Sequence, residues 1–190
     1  MRPMSCPRTG PVRRDAMNIP LAAASVAAIL VAAAFALAPR QEVVTEVGID
    51  ATPAQVWALL GDPGSYRDWN PFIVSMEGEL AEGKTLVNRL RPETGNEIAF
   101  KPVVLKVEPA RELRWLGRLF LPRVLDGEHY FILDERQGGT HLIHGERFHG
   151  VLLWFIDAKR FGADFERMNA ALKARVEAGQ SSPERSGDAQ

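Results

Sequence analysis

Polar and apolar residues change period several times along this chain, and each change marks an element. From Gln41 to Asp50 the apolar positions Val43, Val47 and Ile49 alternate with polar ones, with Thr45 on the same parity, which predicts a first strand. Thr52 then offers a helix N-cap and Pro53 suits the first helical position, with Val56, Trp57 and Leu60 forming one apolar face. Gly61-Asp62-Pro63-Gly64 breaks that helix. A second short helix over Ser65 to Trp69 must stop before Pro71, which pushes Asn70 out of the helical region.

Strand-like runs follow from about Phe72 to Leu80, Lys84 to Leu90, Glu97 to Val107, Glu112 to Phe120, Glu128 to Asp134 and Thr140 to Phe148. They are separated by Glu82-Gly83, Arg91 to Asn96, Glu108 to Arg111 and Gln137-Gly138-Gly139. The apolar parity slips within Glu97 to Val107, so a bulge is expected near Pro102. From Leu152 to Ala178 the period becomes helical, and Phe161, Phe165, Met168, Leu172 and Val176 form a stripe for a sheet to grip. The pattern predicts an α+β domain over 41–178, with seven strands, two short helices after the first strand and a long helix last. Residues 179–190 are polar and expected to be disordered.

The first forty residues read differently. Arg2, Arg8, Arg13 and Arg14 precede an alanine-rich run without charge, and residues 19–38 are about long enough for a transmembrane helix. Basic residues lie before the run and only Arg40 follows closely, so the expectation is a signal anchor with the folded domain extracytoplasmic, periplasmic in a bacterium. A secreted domain after cleavage at Ala36-Leu37-Ala38 is the rival, opposed by Pro39. Met1 and Met17 are both possible starts.

Composition narrows the function. Twenty-three basic and 24 acidic residues give a net charge of −1, so no basic field argues for nucleic acid. The single cysteine, Cys6, leaves the domain without a disulfide, a thiol nucleophile or a cysteine metal ligand. No phosphate-binding loop or nucleophile elbow is present.

Ile49-Asp50-Ala51-Thr52-Pro53 with Val56-Trp57, Trp69-Asn70-Pro71-Phe72, Glu108-Pro109-Ala110-Arg111-Glu112-Leu113 with Trp115, Gly127-Glu128-His129, Gly139-Thr140 and Glu146-x-Phe148-x-Gly150 occur in this order. In these features the chain resembles the SRPBCC superfamily, the START-like and polyketide cyclase-like proteins with the helix-grip fold. The resemblance implies a seven-stranded sheet curled round the last helix with a cavity between them, and hydrophobic ligand or lipid binding. Some members cyclise or dehydrate their ligands; others have no known activity.

His144 and Glu146 share one strand face, and His129 has the parity of Phe131 and Leu133 on the preceding strand. If those faces line the cavity, His129, His144 and Glu146 are the candidate catalytic residues, an acid–base pair tuned by an apolar pocket. A buried polar cluster that fixes register or orients a ligand is the plainer reading. The same three residues could hold a metal, but their spacing is not diagnostic, and neither a metal nor a cofactor is expected. Trp69, Asn70 and Phe72 are candidates for a lid over the ligand. Phe100, Trp115, Phe131, Phe148 and Phe165 are candidate ligand contacts deeper in. Arg114, Arg118, Arg123, Lys101 and Lys106 fall on outward parities, and His141 and His149 on the surface. Val151 to Ile156 is unusually apolar for a loop-to-helix junction, which suits either core packing or contact with a membrane. Three functions remain open: a tethered container for a hydrophobic molecule, a cyclase-like enzyme, and a non-catalytic interaction module with a filled core.

Overall fold

A computed structural model describes residues 18–93 and 95–180. The chain divides into two compact units, Met1–Leu37 and Ala38–Gln190. In the first unit, α1 spans Asn18–Ala36. The sequence predicts a membrane span over 19–38, yet among the described residues no helix is long and apolar enough to cross a membrane. The run is built largely from alanine, which adds little hydrophobicity per turn. The basic segment before residue 18 and the polar tail after Gln180 lie outside the described residues.

The second unit opens with β1 (Arg40–Ile49). Helix α2 (Pro53–Leu60) starts in a capping box: Gln55 donates its backbone N–H to the Thr52 hydroxyl, and the Gln55 side chain accepts the Thr52 N–H at 2.9 Å. Val56 and Leu60 are its buried face. The expected second helix begins as a 3₁₀ turn, Pro63–Ser65, and continues as α3 (Tyr66–Trp69).

The strands β2 (Ile73–Glu77), β3 (Val87–Leu90), β4 (Ile98–Phe100), β5 (Val103–Glu108), β6 (Glu112–Leu119), β7 (Leu125–Arg136) and β8 (Gly139–His149) follow. They form an antiparallel five-stranded sheet, β1-β8-β7-β6-β5, and a three-stranded sheet, β2-β3-β4. The single seven-stranded sheet that the resemblance implied is therefore corrected to eight strands in two sheets. The cause is Pro102. Lacking an N–H, it can only accept, taking the Leu86 N–H at 2.9 Å, and the chain continues beside β6 as β5, where the register shifts between Val104 and Lys106, the irregularity expected near Pro102. A Thr85–Val103 bridge is the remaining pairing across the seam.

The final helix is also shorter than expected. Residues 152–161 form two 3₁₀ turns, Val151–Trp154 and Ala158–Phe161, and only Gly162–Gln180 is the α-helix α4. Asp157 breaks the continuity, because its side chain accepts the Lys159 N–H and caps a new turn. Phe165, Met168, Leu172 and Val176 of α4 are buried in one core with Val56, Leu60, Leu113, Phe131 and Leu142. Asp164 ties Glu93, just beyond β3, to α4, accepting the Glu93 N–H at 2.9 Å and the Arg167 guanidinium at 2.5 Å.

Candidate functional site

The inward faces of β1, β7 and β8 and one polar position on α4 build a single hydrogen-bonded chain inside this core. Register places Trp115 opposite His129, His129 opposite Glu146 and Phe131 opposite His144. Each pairing puts side chains of the same parity on the same face. His129 Nδ1 lies 3.1 Å from Glu146 Oε2, and His129 Nε2 lies 2.9 Å from His144 Nε2. His144 Nδ1 is 2.8 Å from Asn169 Oδ1 on α4. Asn169 Nδ2 donates to the Thr45 hydroxyl at 2.8 Å, and that hydroxyl donates to the His144 carbonyl at 3.2 Å.

This order fixes which atoms carry protons. The Thr45 hydroxyl spends its hydrogen on a carbonyl, so it accepts from the Asn169 amide. Asn169 therefore turns its oxygen to His144, which donates from Nδ1. His144 is then left with a lone pair at Nε2, which receives the N–H of His129 Nε2. His129 in turn presents a bare Nδ1 to Glu146, and a neutral acid at Glu146 completes the chain by donating to it. The competing arrangement is an imidazolium at His129 beside a carboxylate. Trp115 stacks on His129 with ring centroids 4.9 Å apart and planes 4° apart, and a cation there would gain about 0.5–2 kcal/mol. Burying two ions costs several kcal/mol each, which their mutual attraction offsets only where further hydrogen bonds serve the remaining lone pairs; Glu146 Oε1 has no such partner among the described residues, so the neutral pair is favoured. Phe131 and Phe165 rings complete the enclosure of His129 at 5.0 and 5.1 Å.

Burial shifts the groups in the same sense. It pushes the Glu146 carboxyl up to about 8 and the His129 imidazole down to about 3. His144 falls well below its ordinary value, through burial first and the neighbouring His129 second, although Asn169 and the Phe165 backbone act in the other direction. Only 5 % of the His129 side chain is accessible, against 19 % for Glu146. Glu146 keeps that surface because it lines a cavity of about 140 Å³.

Phe72, Ile73, Phe100, Trp115, Phe148 and Phe161 form the walls, with Leu90, Ile98, Leu119 and Leu125 toward the rim. Gly117 of β6 lies opposite Gly127 of β7, and both line the space. A methyl group on Gly127 would come within 2.0 Å of Glu146 Oε1, and one on Gly117 within 3.1 Å of the Phe100 ring. The two glycines thus make the room in which the carboxyl and the ring sit.

The other candidates divide. Phe72, Phe100, Trp115 and Phe148 face the cavity. Phe131 and Phe165 stack on His144, with centroids 4.4 Å away on each side, and serve the core. Trp69 packs on Tyr66 and donates to Ser65 at 3.2 Å, outside the cavity lining. Asn70 accepts the N–H groups of Phe72 and Ile73 at 2.9 and 2.8 Å, so its oxygen caps the local turn. On the outer face, Arg114 pairs with Glu112 and Glu128, and Lys106 with Glu112 and Glu108, which leaves little of a basic stripe there. Among the described residues no group of three or more metal-ligating side chains could hold an ion.

Sequence reasoning missed Thr45, Asn169 and the Gly117–Gly127 pair. Asn169 was findable as a polar residue four positions after Phe165, inside the apolar stripe of α4.

No curated protein matches this chain. Among solved structures, ginseng major latex-like protein 151 from Panax ginseng superposes with a TM-score of 0.62 at 13% identity, covering 72% of this chain and 97% of that one. Protein CV1439 from Chromobacterium violaceum gives 0.60 at 18% identity, covering 72% and 96%. A norcoclaurine synthase point mutant from Thalictrum flavum, solved with a transition-state analogue, gives 0.57 at 13%, covering 76% and 98%. At these identities the likeness is one of fold. The family described as polyketide cyclase/dehydrase and lipid transport matches residues 40–177, the whole sheet and nearly all of α4. The chain belongs to that family, within the SRPBCC superfamily.

Proposed function

We propose that this domain binds a small hydrophobic molecule in the β6–β8 cavity and works at a membrane surface. The carrying observation is a largely apolar space, open at its rim, in which Glu146 and His129 form the inner polar corner and Arg118 the other charged lining residue. At about 140 Å³ it is smaller than a drug-sized pocket. It is close to the roughly 150 Å³ that accommodates benzene in a well-packed core. One ring-sized group fits inside, and the remainder of a longer ligand would leave past Ile98 and Leu119, both exposed at the rim.

The membrane component rests on one end of the domain. The β6–β7 loop and the Val151–Trp154 turn are joined by the Val151 N–H to Arg123 carbonyl and Leu152 N–H to Val124 carbonyl bonds, and Pro39 accepts the Gly150 N–H beside them. That end exposes Phe120, Leu121, Trp154 and Phe155. Phe120 is 88 % exposed and held at φ 62, a conformation unfavourable for a bulky residue. Arg118, Arg123, Lys159 and Arg160 lie next to these tips in sequence, matching the chemistry of anionic headgroups. The basic residues before the apolar run favour an extracytoplasmic domain.

A catalytic reading draws on the continuity of the Glu146–His129–His144 chain. That chain ends on the His144 carbonyl through Thr45, with no titratable group at its far end. Such a dead end orients a ligand rather than passing a proton on, so binding is the preferred reading. Mass spectrometry of organic extracts of the purified full chain tests it. A hydrophobic compound should accompany the wild type and be lost from Gly117→Leu, which fills the cavity. Equal recovery from both would place the ligand elsewhere. Conversion of that compound by wild type but not by Glu146→Gln would favour the enzyme. Protease treatment of intact cells tests the topology: digestion of the domain is expected, and full protection would overturn it.

A further inference from the structure

We infer that the cavity selects a ligand ring carrying one hydroxyl, whose hydrogen is received by Glu146 Oε1. The inference rests on the binding reading above and specifies its ligand class. Thr45 lies outside the cavity lining. Its hydroxyl is committed to the His144 carbonyl, which sets the Asn169 amide, the two imidazoles and the Glu146 acid in one direction. Glu146 Oε2 therefore faces His129 and supplies the donor to that nitrogen. Oε1 is left as a carbonyl-type oxygen with two lone pairs and no hydrogen of its own. It lies over Gly127, on the cavity lining, and has no hydrogen-bond partner among the described residues.

The remaining lining atoms near this corner are apolar. Gly117 and Gly127 give access to the oxygen, Phe100 and Trp115 present ring surfaces, and Phe148 closes the side. A molecule with only an acceptor, such as a ketone or an ether, would set lone pair against lone pair. An anion would meet the same oxygen with a full charge. A cation would have to shed its water into walls of phenylalanine. A neutral ring bearing an O–H group satisfies the one exposed acceptor and buries the rest. Arg118, the cation of the lining, is about half exposed and lies 3.7 Å from Asp126.

Thr45 and Asn169 thus act as positioning residues: they set which end of the carboxyl is the donor. This gives an uncommon expectation for Glu146→Gln. A glutamine side-chain amide turned toward His129 donates to Nδ1 as the acid does, and leaves a carbonyl oxygen over Gly127. The variant should keep the recognition that a carboxylate-dependent site would lose.

The test titrates the full chain with phenol and with toluene, which replaces the hydroxyl by a methyl of similar size. Binding is read on the Trp115 indole N–H resonance. Wild type is expected to bind phenol about tenfold more tightly than toluene, a single well-placed hydrogen bond's share. Glu146→Gln should stay within about threefold of wild type for phenol. Glu146→Leu should prefer toluene, and Glu146→Gln serves alone if that variant does not fold. Toluene binding as tightly as phenol to wild type would overturn the ligand class and leave the binding reading standing. Loss of phenol binding in Glu146→Gln would overturn the neutral-acid assignment. If neither molecule shifts Trp115, the cavity is not a binding site, and both proposals fall.

Discussion

Replacing Glu146 by glutamine should flatten the dependence of stability on pH above neutrality. The folded-state carboxyl is raised by burial to about 8, from an ordinary value of 4.5. A group raised in this way contributes stability that is complete below its unfolded value and is lost as pH rises toward the folded one. The two imidazoles act oppositely. His129 and His144 are depressed, so their contribution is complete above about 6.5 and is lost as pH falls below it. The interval from 6.5 to 8 therefore isolates Glu146. One proton over that interval amounts to about 2 kcal/mol, from roughly 1.4 kcal/mol per pH unit. For a domain of this size that is about 4–8 °C in Tm. The groups facing the carboxyl are His129 from β7 and, at the rim, Arg118 from β6, which is paired with Asp126. Thermal denaturation followed by circular dichroism at half-unit pH steps gives the curve. Wild type should decline between 6.5 and 8 while Glu146→Gln stays level. A level wild type, or an equally steep variant, would refute the assignment of a buried neutral acid.

Asn169→Leu should cost about 1–3 kcal/mol in chemical denaturation, because it removes the amide that bonds both the buried His144 Nδ1 and the Thr45 hydroxyl; a loss below 0.5 kcal/mol would mean the chain is not anchored at α4. Gly127→Ala places a methyl where Glu146 Oε1 now lies, so it should displace the carboxyl and weaken phenol binding at least as much as Glu146→Leu, with circular dichroism unchanged. Thr52→Ala removes the hydroxyl half of the α2 capping box and should lower stability by about 1 kcal/mol without altering ligand binding.

Strand parity carried much of this site into view. Because side chains alternate with period two, His144 and Glu146 had to share a face, and a hairpin of ordinary register brought His129 opposite Glu146. Local chemistry also transferred well: the Thr52-Pro53 start of α2 and the Pro71 stop follow from capping and sterics alone. Other features depend on contacts distant in sequence. Thr45 and Asn169 are 124 positions apart, and nothing in either neighbourhood announces the other. Pro102 signalled a disturbance but not its outcome, since one proline can bulge a strand or divide it between two sheets. The break at Asp157 was hidden because Phe161 continues the spacing of the α4 stripe while sitting in a 3₁₀ turn. Cavity size is the least legible quantity. It is set by Phe100 folding over Gly117, a packing detail rather than a pattern.

The central claim is the direction of the hydrogen-bonded chain from Thr45 to Glu146. Long-range proton–nitrogen NMR on the full chain at pH 6.5 reads it directly, since protonated and bare imidazole nitrogens resonate far apart. The account predicts His144 protonated at Nδ1 and bare at Nε2, with His129 protonated at Nε2 and bare at Nδ1. A proton on His129 Nδ1 would contradict it, because Glu146 would then be a carboxylate or would carry its hydrogen on the cavity-facing oxygen.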